Sequence, residues 1–270
     1  MGGMSHVVTL SRTVARAGLA PLRWLAAWAR ILLFGAAMLV RALSPASYSA
    51  RARGNLARHV VLDTAPILGW FTVLVALFTL ILTRIVVVTA QSYGLSQYAL
   101  EMVIRVLVIE LIPLTAALFV ALRCTIPGAA AVVEMRRDGH FRALRAAGED
   151  PAAVELLPRM LAGIFACVTL ASLSCVVAGV LAYFAVYGFS SAGLGAYTHM
   201  FGRVFGPAFT LIFVLKTLMS ALAVSVIPMA SGLHDLDGDG TRESAALQGL
   251  VRMFGVLLVL EAVSLVGNYI

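Results

Sequence analysis

The fold turns on the stretch Glu134-Met-Arg-Arg-Asp-Gly-His-Phe-Arg-Ala-Leu-Arg145, a polar interlude inside an otherwise apolar region. Before it lies an apolar run that opens Glu110-Leu-Ile-Pro113 and reaches Arg123. After it come Gly148-Glu-Asp-Pro151 and Pro158-Arg-Met-Leu-Ala-Gly163, which lead into a second apolar run. A short charged helix between two membrane-length segments is a docking surface for a soluble partner. Working outward, the rest of the chain decides whether those segments are spans.

Hydrophobic residues make up 61% of the 270 residues and charged ones 12%, with a mean hydropathy of +0.97. A soluble domain carries about a quarter charged residues. Several apolar runs reach the roughly 18 to 20 residues that cross a bilayer, and none shows barrel alternation. The class is therefore an all-α integral membrane protein, its backbone hydrogen bonds satisfied within each helix. Five transmembrane helices are expected, near 64–88, 98–133, 157–187, 203–229 and 247–269, with the polar helix between the second and third. The domain organisation follows as a basic interfacial region, 1–58, and a transmembrane domain, 59–270.

Residues 1–58 hold eight arginines and no acid. Arg12, Arg16, Arg23, Arg30 and Arg41 are spaced by 4, 7, 7 and 11 residues, steps that return to one helical face. Trp24, Trp28, Leu32 and Phe34 occupy the other faces. This pattern predicts an amphipathic helix lying in the membrane interface. The connectors at 89–97 and 188–202 contain no Lys or Arg, so the positive-inside rule places the arginine-rich segments in the cytoplasm.

The net charge of +7 does not indicate nucleic-acid binding, because the arginines flank the apolar runs. No Gly-Lys-Ser/Thr phosphate loop, no paired histidines and no paired cysteines occur, which gives an expectation of no catalytic residues, no metal and no cofactor in this chain. Asp235-Leu-Asp-Gly-Asp-Gly240 opens like a calcium loop, but its twelfth position is Ala246 rather than a bidentate Glu, which favours a solvated acidic turn. Arg84, Glu101 and Arg105 lie nearer the outer face, whereas three charged residues fall deep inside spans: Glu110, Lys216 (the sole lysine) and Glu261. Charges at such depth face a partner or a wet cavity, so these three are expected to form one network, with either a functional or a packing role.

The region from Glu110 to Gly163 resembles the MlaE/YrbE family, the permease subunits of MCE-type ABC lipid transporters. The matching positions are Glu110 and Pro113, Ala121 and Arg123, Met135, Ala143-Leu144, Gly148 with Asp150-Pro151, and Pro158-Arg159 with Ala162. Lys216-Thr217, Gly232 and Glu261 match further family positions. Departures are Ile112 and Leu122 where the family has glycine, Ala131 and Gly139-His140 where it has acidic or amide residues, and the Asp-rich loop. The chain is thus similar to a divergent member. The resemblance implies a non-enzymatic permease of the bacterial inner membrane that pairs with a second protomer, as a homodimer or heterodimer. It further implies a cytoplasmic ABC ATPase that holds the ATP, an MCE-domain lipid-binding protein, and phospholipid as substrate. The helix near 134–147 becomes a coupling helix, with Met135, Arg136, Arg137, Phe141, Leu144 and Arg145 toward the ATPase. Pro113, Arg123, Gly148, Asp150, Pro151, Pro158 and Arg159 become structural motif positions. The competing readings are an ion-coupled carrier using Glu110, Lys216 and Glu261, and a structural subunit of a heteromeric complex.

Overall fold

The structure, a computed structural model, describes residues 20–94, 96–234 and 242–269, with side chains at 24–94, 101–233 and 247–267. Among these residues every regular element is helical. The helices are α1 (Ala20–Leu43), α2 (Ala50–Ser92), α3 (Ser96–Arg105), α4 (Ile112–Val120), α5 (Ile126–Arg137), α6 (His140–Ala146), α7 (Leu157–Tyr187), α8 (Leu194–Val204), α9 (Pro207–His234) and α10 (Arg242–Tyr269). Among the described residues, six segments are long and apolar enough to cross a membrane: Trp24–Leu43, Ala50–Ser92, Glu101–Arg137, Ala152–Tyr187, Pro207–Leu233 and Leu247–Gly267. Five of them correspond to the expected spans. The sixth, within α1, meets the same criteria of length and composition. Of the basic stripe, Arg12 and Arg16 lie outside the described residues, as does the side chain of Arg23, and so does the Asp235–Gly240 motif.

Boundaries differ from the sequence reading in three places. Helix α2 starts at Ala50, not near residue 64, and runs straight through residue 58; Ser49 caps it by accepting from the Ala52 amide at 3.2 Å. The connector expected at 188–202 contains α8, and the fourth span begins at Pro207, where proline suits a first turn. The single helix expected over 134–147 is divided. Its first part ends α5, Asp138 and Gly139 turn the chain, and α6 restarts at His140. Gly139 takes φ +78, a conformation open to glycine but strained for other residues.

The second span is one helical run interrupted by two wide π-helical turns, Val106–Leu111 and Ala121–Thr125, and a third, Ala152–Leu156, opens the next span. Each is followed at once by a residue and then a proline: Ile112-Pro113, Ile126-Pro127 and Leu157-Pro158. The cause is local. A proline ring collides with the carbonyl four residues back and donates no bond to it. In each case the residue before the proline donates five residues back instead: Ile112 to Leu107, Ile126 to Ala121 and Leu157 to Ala152. The widened turn makes room for the ring without breaking the helix.

Helices α2 and α7 form the most extensive pairing. On α2, Thr64, Ile67, Phe71, Val75, Thr79 and Thr83 are buried, a spacing that keeps one face inward. On α7 the buried positions include Ala162, Gly163, Ala166, Ala171, Ala178 and Ala182, and such small residues let helices approach closely in lipid. Gly163 shows how closely α7 approaches the second wide turn and α9: a Cβ there would lie 2.8 Å from Thr125 Cγ2 and 2.9 Å from Ser225 Oγ. Helix α1 packs on α9 through Ala27, Ile31 and Met38, with Gly35 against Val226. The outward surface is apolar, with Trp70, Leu77, Ile81, Val176, Leu211 and Leu258 all more than half exposed, as a bilayer-facing surface requires.

Candidate functional site

The three intramembrane charges come together. Lys216 on α9 forms an ion pair with Glu110, which sits in the first wide turn, and its Nζ lies 3.0 Å from Glu261 Oε1 on α10. Lys216 is 5% and Glu110 7% exposed. Depth explains why residues so far apart in sequence meet. Glu110 follows Glu101 by nine residues, Lys216 follows Pro207 by nine, and Glu261 precedes Gly267 by six, each counted from the same end of the bundle. The helical rise turns these counts into about 9 to 14 Å. Isolated, each charge would cost several kcal/mol to bury; grouped, two carboxylates flank one ammonium and leave a formal surplus of one negative charge.

A second cluster lies at the opposite, arginine-rich end, around α6. Gly148, at φ +78, closes α6, and the Glu149 amide donates back to the Leu144 carbonyl at 2.9 Å. Asp150 then accepts from the Ala152 amide at 3.0 Å, and Pro151 starts the next helical turn. The Gly-x-Asp-Pro spacing is therefore a helix stop followed by a helix start, which folds the polar segment into an elbow.

Side chains tie this elbow to its surroundings. Arg41 on α1 reaches Asp150 at 3.0 Å, and Arg51 on α2 reaches Glu149 at 2.9 Å. Both pairs are partly exposed, so each contributes at most about 1 kcal/mol. Glu155 is the buried tie. Its carboxylate accepts from Arg159 at 2.5 Å and lies 3.3 Å from His140 Nε2, linking the base of α7 to the start of α6. Asn55 of α2 donates to the Val154 carbonyl at 3.0 Å.

The six residues assigned to the coupling helix have different surroundings. Leu144 is 3% exposed and Phe141 packs against the buried cluster that includes Met38, Leu156 and Met160, so both serve this chain's own core. Arg136 donates to the Leu233 carbonyl, and Met135 offers its sulfur to Arg159 at 3.8 Å. Arg137 and Arg145 are exposed. Of the basic stripe, Arg30 is exposed and donates to the Ala26 carbonyl, while Arg41 is held by Asp150. Arg123 is exposed in the second wide turn. Sequence reading missed Glu155, His140, Arg51 and Glu149. The i,i+4 spacing of Glu155 and Arg159 was an available signal; the other contacts join residues far apart in the chain.

No curated protein matched the chain. The family model Permease MlaE matches residues 56–266, which takes in the charge triad, the elbow and most of the chain from α2 to α10, and leaves out α1 with Arg41 and the start of α2 with Arg51. The chain is a multi-pass membrane protein of the MlaE permease family.

Proposed function

We propose that this chain, as the membrane permease subunit of a lipid transporter, moves phospholipid or a related amphiphile under the drive of a separate cytoplasmic ABC ATPase. A second permease protomer completes the pathway, an MCE-domain protein carries lipid on the far side, and the setting is the bacterial inner membrane. The observation that carries the reading is the elbow of α6. It is a short helix between two spans, and the His140–Glu155–Arg159 link connects it to the base of α7. Arg41–Asp150 and Arg51–Glu149 connect the same elbow to α1 and α2. Displacement of α6 by a nucleotide-driven partner is thus passed to three long helices rather than absorbed in a slack loop.

The charge triad joins the first wide turn to α9 and α10 near the other end. A motion that starts at α6 and travels along these helices reaches the triad. Its rearrangement switches the bundle between cavity states whose populations the ATPase biases. The decisive experiment reconstitutes the chain with its co-purifying ATPase in liposomes and follows labelled lipid. Lipid movement that stops with a hydrolysis-dead ATPase supports the reading. Movement that continues unchanged overturns it in favour of an ion-coupled carrier.

A further inference from the structure

A cleft of about 580 Å³ opens at the arginine-rich end, between the last turns of α1, the elbow and α6. Its rim carries Arg41, Arg142 and Arg145, and its floor carries Phe34, Phe141 and Leu233. Asp150 is the acidic residue of the lining, and Arg41 already engages it at 3.0 Å. Arg142 and Arg145 sit three residues apart on α6, on one face, and both are exposed. The rim is left with positive charge that suits a phosphate, for which guanidinium geometry is well matched.

The cleft is also graded along α1. Phe34 precedes Arg41 by seven residues, two turns or about 10 Å on the same face. The neighbouring α1 residues Leu33, Leu39, Val40 and Leu43 are exposed and apolar, which sets hydrocarbon beside the cleft. One end is therefore cationic and the other is greasy, and the volume falls in the range of small-molecule sites. An inorganic anion fills only the first end.

We propose that this cleft binds the headgroup of an anionic phospholipid from the leaflet at the arginine-rich end, with an acyl chain laid along Phe34, as a resident ligand and not as cargo. The site bridges α1 and α6, so a bound lipid steadies the elbow, and the charge of the surrounding leaflet sets how firmly α6 is held.

The test uses the full purified chain in detergent micelles. It is titrated calorimetrically with dioctanoyl phosphatidylglycerol, with dioctanoyl phosphatidylcholine and with inorganic phosphate. Phosphatidylglycerol is expected to bind more tightly than the other two. The Arg142→Gln, Arg145→Gln double variant is expected to weaken it roughly 30-fold, about fivefold per arginine. Phe34→Ala weakens the lipid and leaves phosphate unchanged, while Arg137→Gln, outside the cleft, changes neither. Equal affinity for the two lipids overturns the proposal. So does phosphate binding as tightly as phosphatidylglycerol without dependence on Phe34, which marks a free-anion site. A double variant that keeps lipid affinity but loses the ATPase also overturns it, and assigns the cleft to an acidic protein surface.

Discussion

Lys216 and Glu261 meet across α9 and α10 at 3.0 Å, and the same ammonium holds Glu110, so one side chain fastens three separate segments. Lys216→Met leaves two carboxylates without their cation and is expected to lower stability by about 3–5 kcal/mol. Neutralising all three residues (Glu110→Gln, Lys216→Met, Glu261→Gln) removes that penalty. Thermal melting in detergent is expected to show the triple variant close to wild type, with lipid movement lost in both variants. Restored transport in the triple variant would assign the triad to packing alone.

Glu155→Gln keeps the shape of the side chain but removes the charge that Arg159 and His140 share. The expected loss of stability is about 1–3 kcal/mol. In the reconstituted complex the expected signature is looser coupling: ATP hydrolysis continues while fewer lipids move per ATP. Measuring both rates on one preparation checks this, and a fall in both by the same factor contradicts it.

Gly163 leaves no room for a methyl group between Thr125 and Ser225. Gly163→Ala is expected to destabilise the α7 contact by about 1–3 kcal/mol. Combining it with Thr125→Ser, which removes the Cγ2 in the way, and Ser225→Ala recovers part of the loss. Melting of the single and combined variants decides it; additive losses would place the strain elsewhere.

Charge reversal separates the two neighbouring arginines at the end of α5. Arg136 bonds the Leu233 carbonyl, so Arg136→Glu is expected to reduce stability. Arg137 is exposed, so Arg137→Glu is expected to leave the fold intact and weaken capture of the ATPase. Co-purification yields compared with melting temperatures distinguish the two, and unchanged capture by Arg137→Glu counts against docking at this surface.

Much of the architecture was legible in the residues, for stated reasons. The spans announce themselves through uninterrupted apolar runs. Glu110, Lys216 and Glu261 announce their meeting through the cost of burying any of them alone. Other features depend on contacts between distant residues or on backbone detail. The start of α2 at Ala50 was hidden because Arg51, Arg53 and Arg58 read as an interfacial segment, although helix propensity does not stop at the membrane surface. The break at Gly139 was hidden because glycine is only mildly unfavourable within a helix, and its φ of +78 is visible only in three dimensions. The anchoring of the elbow by Arg41 and Arg51 spans about a hundred residues of sequence, beyond any local pattern.

The three wide turns before Pro113, Pro127 and Pro158 have a consequence for how such a chain varies over time. Each takes in one residue more than an α-turn, so each is an insertion absorbed inside a helix instead of in a loop. Beyond it, every side chain is rotated by about 100° relative to an uninterrupted helix. The second span therefore presents different sides of itself before and after each proline, and Glu110 lies within the first such shift. Loss of a single residue there would leave the span long enough to cross the bilayer yet swing the remainder of it onto the wrong neighbours.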